Sequence, residues 1–220
     1  MTTDEFIAFW AKLGDGIVHP DDDQALLERS GFEARLIPLP WNGPIKTAKA
    51  FVAFLNPGVH PEDISREKSN DQFRQRLRQN LKGESKYVYF EPDYSDHPGA
   101  AWAHRTFGAN WSHGDRDRVC IIQLVAYHSQ DCRAPYKAYK TLMSTLKMKL
   151  WIRHDLLPRV RSGNAVLVVG RGARGFEVES EPNTCNFVRY EGGKCRSASM
   201  RQNTRGGKAL HSFLERPLST

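Results

Sequence analysis

Between Ala50 and Leu55 the chain runs Ala-Phe-Val-Ala-Phe-Leu, and the apolar run then breaks at Asn56-Pro57-Gly58. A run this short and this rich in bulky side chains reads as a strand buried on both faces. Pro57 has no N–H to give to a sheet ladder and Gly58 permits positive φ, so the backbone is expected to leave the sheet and turn there. His60-Pro61-Glu62-Asp63 follows as a helix start, with proline in the first turn and two acids at the positive end of the helix dipole. Strand, sharp turn and helix N-terminus in succession mark the place where an open α/β sheet holds its ligand.

The flanking segments fit that reading. Thr2-x-x-Glu5 is a capping box ahead of Phe6, Trp10 and Leu13 at helical spacing, and residues 21–29 form a second short helix closed by Gly31. Residues 1–35 are thus packing helices at the start of a single domain spanning 1–220. Residues 36–44, rich in Pro and Gly, are a shaped loop with Trp41 in it. From 62 to 81 a thin apolar stripe of Phe73, Leu77 and Leu81 predicts one helix, and its crowd of arginines, including Arg74 and Arg78, is either a solvated face or a phosphate-contacting one. Residues 87–90 are a short strand candidate. Residues 93–117, with His97, Trp102, His104, Trp111 and His113, read as irregular and suit a pocket wall, a stacking platform or a small satellite core.

Residues 118–125 and 164–169 are two more buried strands, the first ending in the polar run Tyr127-His128-Ser129. Helices are predicted over 135–149, with Tyr139, Leu142, Met143 and Leu146 inward, over 152–160, and over 208–214, with a short last strand at 186–190. Strands alternating with helices predict a mostly parallel sheet covered on both faces.

With 40% hydrophobic and 26% charged residues over 220 positions, the composition is that of a soluble globular protein. No apolar run approaches a membrane span, and no basic region precedes an apolar one near Met1, so neither membrane insertion nor a signal peptide is expected. The four cysteines lack Cys-x-x-Cys spacing, which points to free thiols in a cytoplasmic protein without a metal centre or other cofactor. A net charge of +7 favours an anionic partner, nucleic acid first.

Gly170-Arg-Gly-Ala-Arg-Gly175 satisfies G-x-G-x-x-G after a strand, but a dinucleotide site also needs a long helix from Ala173, and Pro182 leaves no room for one. A nucleotide-dependent oxidoreductase would stand or fall on that helix. A better constellation gathers polar residues from several strand ends: Asn56-Pro57-Gly58, Tyr127-His128-Ser129, and the loop Arg196-Ser197-Ala198-Ser199-Met200-Arg201-Gln202-Asn203.

These segments, with Pro40-Trp-Asn-Gly-Pro44 ahead of Ala-Phe-Val-Ala-Phe-Leu-Asn-Pro-Gly, resemble the motifs of the uracil-DNA glycosylase superfamily, nearest to its Asn-Pro-Gly branches. The resemblance spans about residues 38–214. It implies a three-layer αβα sandwich around a mostly parallel four-stranded sheet, acting as a monomer on a flipped base in DNA. Asn56 would then position the attacking water, and His128 or Ser199 would stabilise the departing base anion. Pro57, Gly58, Tyr127 and Ser129 would surround the base, with Phe90 or Tyr94 stacked on it. Arg74, Arg78, Arg196, Ser197, Ser199, Arg201 and Asn203 would meet the nucleic acid. An amide at position 56 cannot serve as a general base, so the runner-up is a nucleic-acid or nucleotide-binding protein that keeps the pocket without the chemistry.

Overall fold

The computed structural model describes residues 1–108, 111, 117–130, 138–191 and 199–215, with only the backbone of Phe90, Ala138 and Tyr139. Its centre is a five-stranded sheet built from β1 (Trp41–Asn42), β2 (Ala50–Phe54), β3 (Val119–Gln123), β4 (Val166–Val169) and β5 (Phe187–Arg189), in the order β1-β3-β2-β4-β5. β3, β2, β4 and β5 run parallel, while β1 is an antiparallel edge on β3. The chain therefore crosses from one side of β2 to the other between β3 and β4, which puts the topological switch point at the carboxyl end of β2.

Every residue of β2 is buried, as the unbroken apolar run requires of a central strand with both faces covered. Phe51, Ala53, Cys120, Ile122, Leu167 and Val169 face one apolar cluster, which is closed by α1 (Thr3–Ala11), α4 (Asp71–Leu81), α6 (Met143–Trp151) and α7 (Leu157–Arg161). Ala50, Val52, Phe54, Ile121, Val166 and Val168 face the other, closed by α5 (Pro98–Phe107) and α9 (Arg205–Leu214). This is strand alternation with period two, read out on a sheet that has helices on both sides. Among the described residues no helix is long and apolar enough to cross a membrane.

Several elements depart from the sequence expectation for identifiable reasons. The sheet has five strands instead of four because Trp41 and Asn42, within the expected loop, pair with Ile122 and Ile121. Residues 88–90 form a 3₁₀ turn instead of a strand, and the Val88 N–H is taken by Asn42 Oδ1 at 3.1 Å. The segment expected to be irregular contains α5, whose N-cap is His97 with Pro98 in the first turn, a position where the missing N–H has no intrahelical partner to lose. The single helix over 62–81 is two, α3 (Pro61–Ser69) and α4, divided at Asn70; its Oδ1 accepts from Phe73 N at 2.9 Å and caps the second.

The helix placed at 135–149 begins as α6 at Met143, with a 3₁₀ turn over Ala138–Thr141 before it; residues 135–137 lie outside the described residues. Leu142 is buried as expected, but Met143 and Leu146 are on the exposed side. α6 continues through a π-helical turn, Ile152–Leu156, into α7. Pro158 explains the widened turn, since its ring and missing N–H would otherwise break the ladder one turn back.

Candidate active site

At the switch point the carboxyl ends of β2 and β3 open into a cavity of about 640 Å³, a size that holds a small organic ligand. β2 contributes Phe54 and the Leu55-Asn56-Pro57 turn, and β3 contributes Ile121 and Gln123. α3 supplies Glu62 and Asp63, α5 supplies Trp102 and Arg105, and Arg171 follows β4. One side is aromatic: Trp102 meets Phe54 edge-on at 5.2 Å, and Tyr89 stacks on the His97 imidazole at 5.1 Å.

The polar side chains of this wall are arranged unusually. Buried polar atoms are nearly always hydrogen-bonded in folded proteins. Here Asn42 Nδ2, Gln123 Oε1, Asp63 Oδ1 and His97 Nε2 are all buried without a hydrogen-bond partner among the described residues, and all belong to residues lining this one cavity. Asn42 is fixed by its other end, where Oδ1 accepts from Val88 N. A donor and an acceptor, on the amides of Asn42 and Gln123, are thus left for a ligand or water to satisfy.

Asn56 Nδ2 donates to Pro57 O at 2.8 Å, so Oδ1 is the acceptor that remains to the cavity. Pro57 O also accepts from Ser129 N at 3.1 Å, which ties the two strand-end turns together. The chain turns at Gly58 as expected, without using the positive φ that glycine permits, and a Cβ there would meet nothing within 4 Å. The tight glycine of this wall is Gly99, whose absent Cβ would lie 2.5 Å from the Tyr89 ring; beside the turn, Gly172 at φ +82° would place one 3.3 Å from the Leu55 side chain.

His128 lines the cavity, but its ring is committed to the backbone. Nδ1 lies 2.9 Å from Gly58 O and Nε2 lies 3.2 Å from Ile37 O. Burial lowers its pKa, against a smaller upward pull from those two carbonyls, and the ring ties the 56–58 turn to the segment before β1. The expected role of His128 as donor to a departing base is corrected on this ground. Both of its nitrogens already face protein acceptors.

Of the other expected site residues, Asn56, Pro57, Gly58 and Ser129 share the cavity with His128. Tyr127 does not: its hydroxyl donates to Asp22 Oδ2 at 2.7 Å and accepts from His19 N at 3.1 Å, beneath the N-terminal helices. Tyr94 packs on Phe73 at 5.0 Å, away from the cavity, and the side chain of Phe90 lies outside the described residues. Arg78 binds the carbonyls of Gly14, Asp15 and Gly16 and so staples a turn instead of facing a phosphate. Arg74 stays on the exposed face of α4, 3.8 Å from Asp71.

Ser199 is not brought to the same hollow as Asn56 and His128. Its Oγ donates to Thr106 O at 3.3 Å and its carbonyl accepts from Tyr190 and Thr204, which seats the loop on the end of α5. Arg201 donates to Arg105 O at 3.3 Å in the same place; Asn203 is exposed nearby in sequence, and Arg196 and Ser197 lie outside the described residues. The glycine-rich turn yields only α8 (Ala173–Phe176), one turn ended by Glu177 at φ +59°, so no dinucleotide-binding helix forms.

Sequence reasoning passed over Asn42, Gln123, Asp63 and Arg105. Gln123 was detectable as the one polar residue inside the apolar run of β3. Arg105 is exposed at the cavity edge and, among the described residues, carries no ion pair. Compared with protein-family models, curated proteins and solved structures, the chain matches none.

Proposed function

We propose that this chain is a DNA glycosylase-like hydrolase that cleaves the N-glycosidic bond of an extrahelical uracil or damaged base, on a three-layer αβα scaffold of the uracil-DNA glycosylase type. The observation that carries the reading is the pair of orphaned amides, Asn42 Nδ2 and Gln123 Oε1, in an aromatic-walled cavity at the carboxyl ends of parallel strands. A nucleobase offers flat faces for Phe54, Tyr89 and Trp102 and, on its edge, an acceptor and a donor to match the two amides. Asn56 Oδ1 would hold the water that attacks the sugar carbon, while the bond to the base breaks and its electron pair leaves with the base. Arg105, at the rim, would meet a flanking phosphate.

The test is release of free base from an oligonucleotide panel carrying uracil and common damaged bases. Wild-type protein is expected to release base, and Asn56→Ala to lower kcat about 100-fold, the scale of a misplaced reactant, with the melting temperature unchanged because Asn56 is only half-buried. The commitment of both His128 nitrogens to carbonyls favours a second reading, a nucleotide or nucleic-acid binder without chemistry. That protein would bind DNA in a salt-dependent way, lose affinity in Arg105→Ala, and release nothing.

A further inference from the structure

The Asn-Pro-Gly turn carries no carboxylate, yet the cavity contains one that nothing in the turn foretold. Asp63, in the first turn of α3, lines the cavity and is partly reachable, its side chain 15% exposed. Its Oδ2 accepts from His60 N at 2.6 Å, one bond at an oxygen with room for two. Its Oδ1 faces His97 Nε2 at 3.8 Å, and neither atom has a hydrogen-bond partner among the described residues.

The His97 ring is held for this arrangement. Nδ1 accepts from Gly99 N at 3.0 Å, which leaves the proton of the neutral ring on Nε2, and the stack on Tyr89 fixes its plane. Asp63 and His97 arrive from the N-terminal ends of two different helices, so their approach is a product of the tertiary fold. Helix capping accounts for Asp63 Oδ2 and His97 Nδ1, and leaves Oδ1 and Nε2 unexplained.

We propose that Asp63 is the general base of this cavity and His97 its positioning residue. The proposal rests on the hydrolase reading. Asn56 Oδ1 holds the water, its oxygen forms the new bond to the anomeric carbon, and its proton passes to Asp63. The glycosidic bond breaks, its electron pair leaves on the base, and the base anion takes a proton from solvent. His97 Nε2–H closes on Oδ1 and keeps the carboxylate turned toward the water.

The experiment measures steady-state base release by wild type, Asp63→Asn, Asp63→Ala, His97→Phe and the Asp63→Asn/His97→Phe double variant. Asp63→Asn keeps an acceptor for His60 N, and with it the fold; it is expected to lower kcat by about 100-fold or more at unchanged KM. Sodium formate should restore part of the rate to Asp63→Ala, which no loss of helix capping would allow. His97→Phe keeps a ring against Tyr89 and should lower kcat about tenfold, while the double variant is no slower than Asp63→Asn alone, as residues acting through one another require. Active wild type with an equally active Asp63→Asn, or a loss in Asp63→Ala that formate leaves untouched, overturns the role of Asp63 and leaves the hydrolase standing. Wild type that releases nothing overturns both.

Discussion

Asn80→Ala is expected to lower stability by about 3 kcal/mol, read as a reduced urea midpoint at unchanged m-value, because the change strips partners from two buried backbone groups at once. Asn80 is fully buried in α4. Its Nδ2 donates to Trp41 O at 2.6 Å and its Oδ1 accepts from Gly43 N at 3.1 Å, while its own carbonyl accepts from Trp41 Nε1 at 2.9 Å. One side-chain bond satisfies a carbonyl of β1 and the other the N–H just after it. Gly43 sits at φ +121°, with the space for a Cβ blocked by Val119 O at 2.5 Å, so the chain cannot shift there to find other partners. The functional consequence follows from position: Asn42 lies between the two groups that Asn80 holds. A variant that still folds is expected to lose orientation of the Asn42 amide, and with it affinity for any ligand that the amide reads. Asn80→Asp, which keeps the acceptor for Gly43 N and loses the donor to Trp41 O, should cost as much or more, since it also buries a carboxylate.

How legible all this was depends on the range of the interactions involved. β2 and β4 are continuous apolar runs and β3 is one up to Gln123, and burial on both faces leaves such a run one place to go. The turn after β2 was equally plain, because Pro57 cannot continue a ladder, and so was the capping box of α1, which lies within four residues of itself. β1 was not legible. Two residues carry no period; they pair with β3 and are held from the other side by Asn80, 39 positions after Trp41 in α4. α5 was hidden because Pro98-Gly99 reads locally as a turn, until His97 Nδ1 takes the Gly99 N–H and converts the same pair into a helix start.

The candidate site divides along the same line. Asn56, His128 and Ser129 follow from strand ends, and strand ends of a parallel sheet meet. Their chemistry did not follow. His128 reads as a catalytic group in sequence and is a clamp in space, because Ile37 O and Gly58 O arrive from segments 91 and 70 residues away. Asp63 reads as a dipole-facing acid, and only the docking of α5 gives it a histidine. Ser199 failed for a different reason: its hydroxyl and carbonyl are taken by Thr106, Tyr190 and Thr204, which hold it at the carboxyl end of α5 instead of in the cavity.

The second large effect concerns Glu67, and its sign is opposite to that of most carboxylates. Glu67 lies on α3 with 7% exposure, its Oε1 accepting from Ile37 N at 2.9 Å. Burial pushes its pKa from 4.5 up to about 7, while the Ile37 N–H, Arg74 and Arg78 pull the other way without prevailing. The folded protein therefore keeps a proton that the unfolded chain has released. Below pH 4.5 both states are protonated and the contribution to stability is fully present; as pH rises toward 7 it is lost, and above 7 the loss is complete. Glu67→Gln imitates the protonated acid, retains an acceptor for Ile37 N and cannot ionise. It is expected to match wild type near pH 4.5 and to exceed it by up to ~3 kcal/mol at pH 8. His97 and His128 complicate a single curve, because burial lowers both pKa values and their contribution fades in the other direction, as pH falls through the histidine range. Both histidines are present in variant and wild type, so the difference between the two urea-midpoint curves cancels them and isolates Glu67. A difference that stays flat from pH 4 to pH 8 would mean that Glu67 titrates in the folded protein as it does in the unfolded chain, and so is ionised at neutral pH. The segment before β1, which His128 clamps at Ile37 O, would then be anchored at Ile37 N by a buried charge instead of a neutral acid.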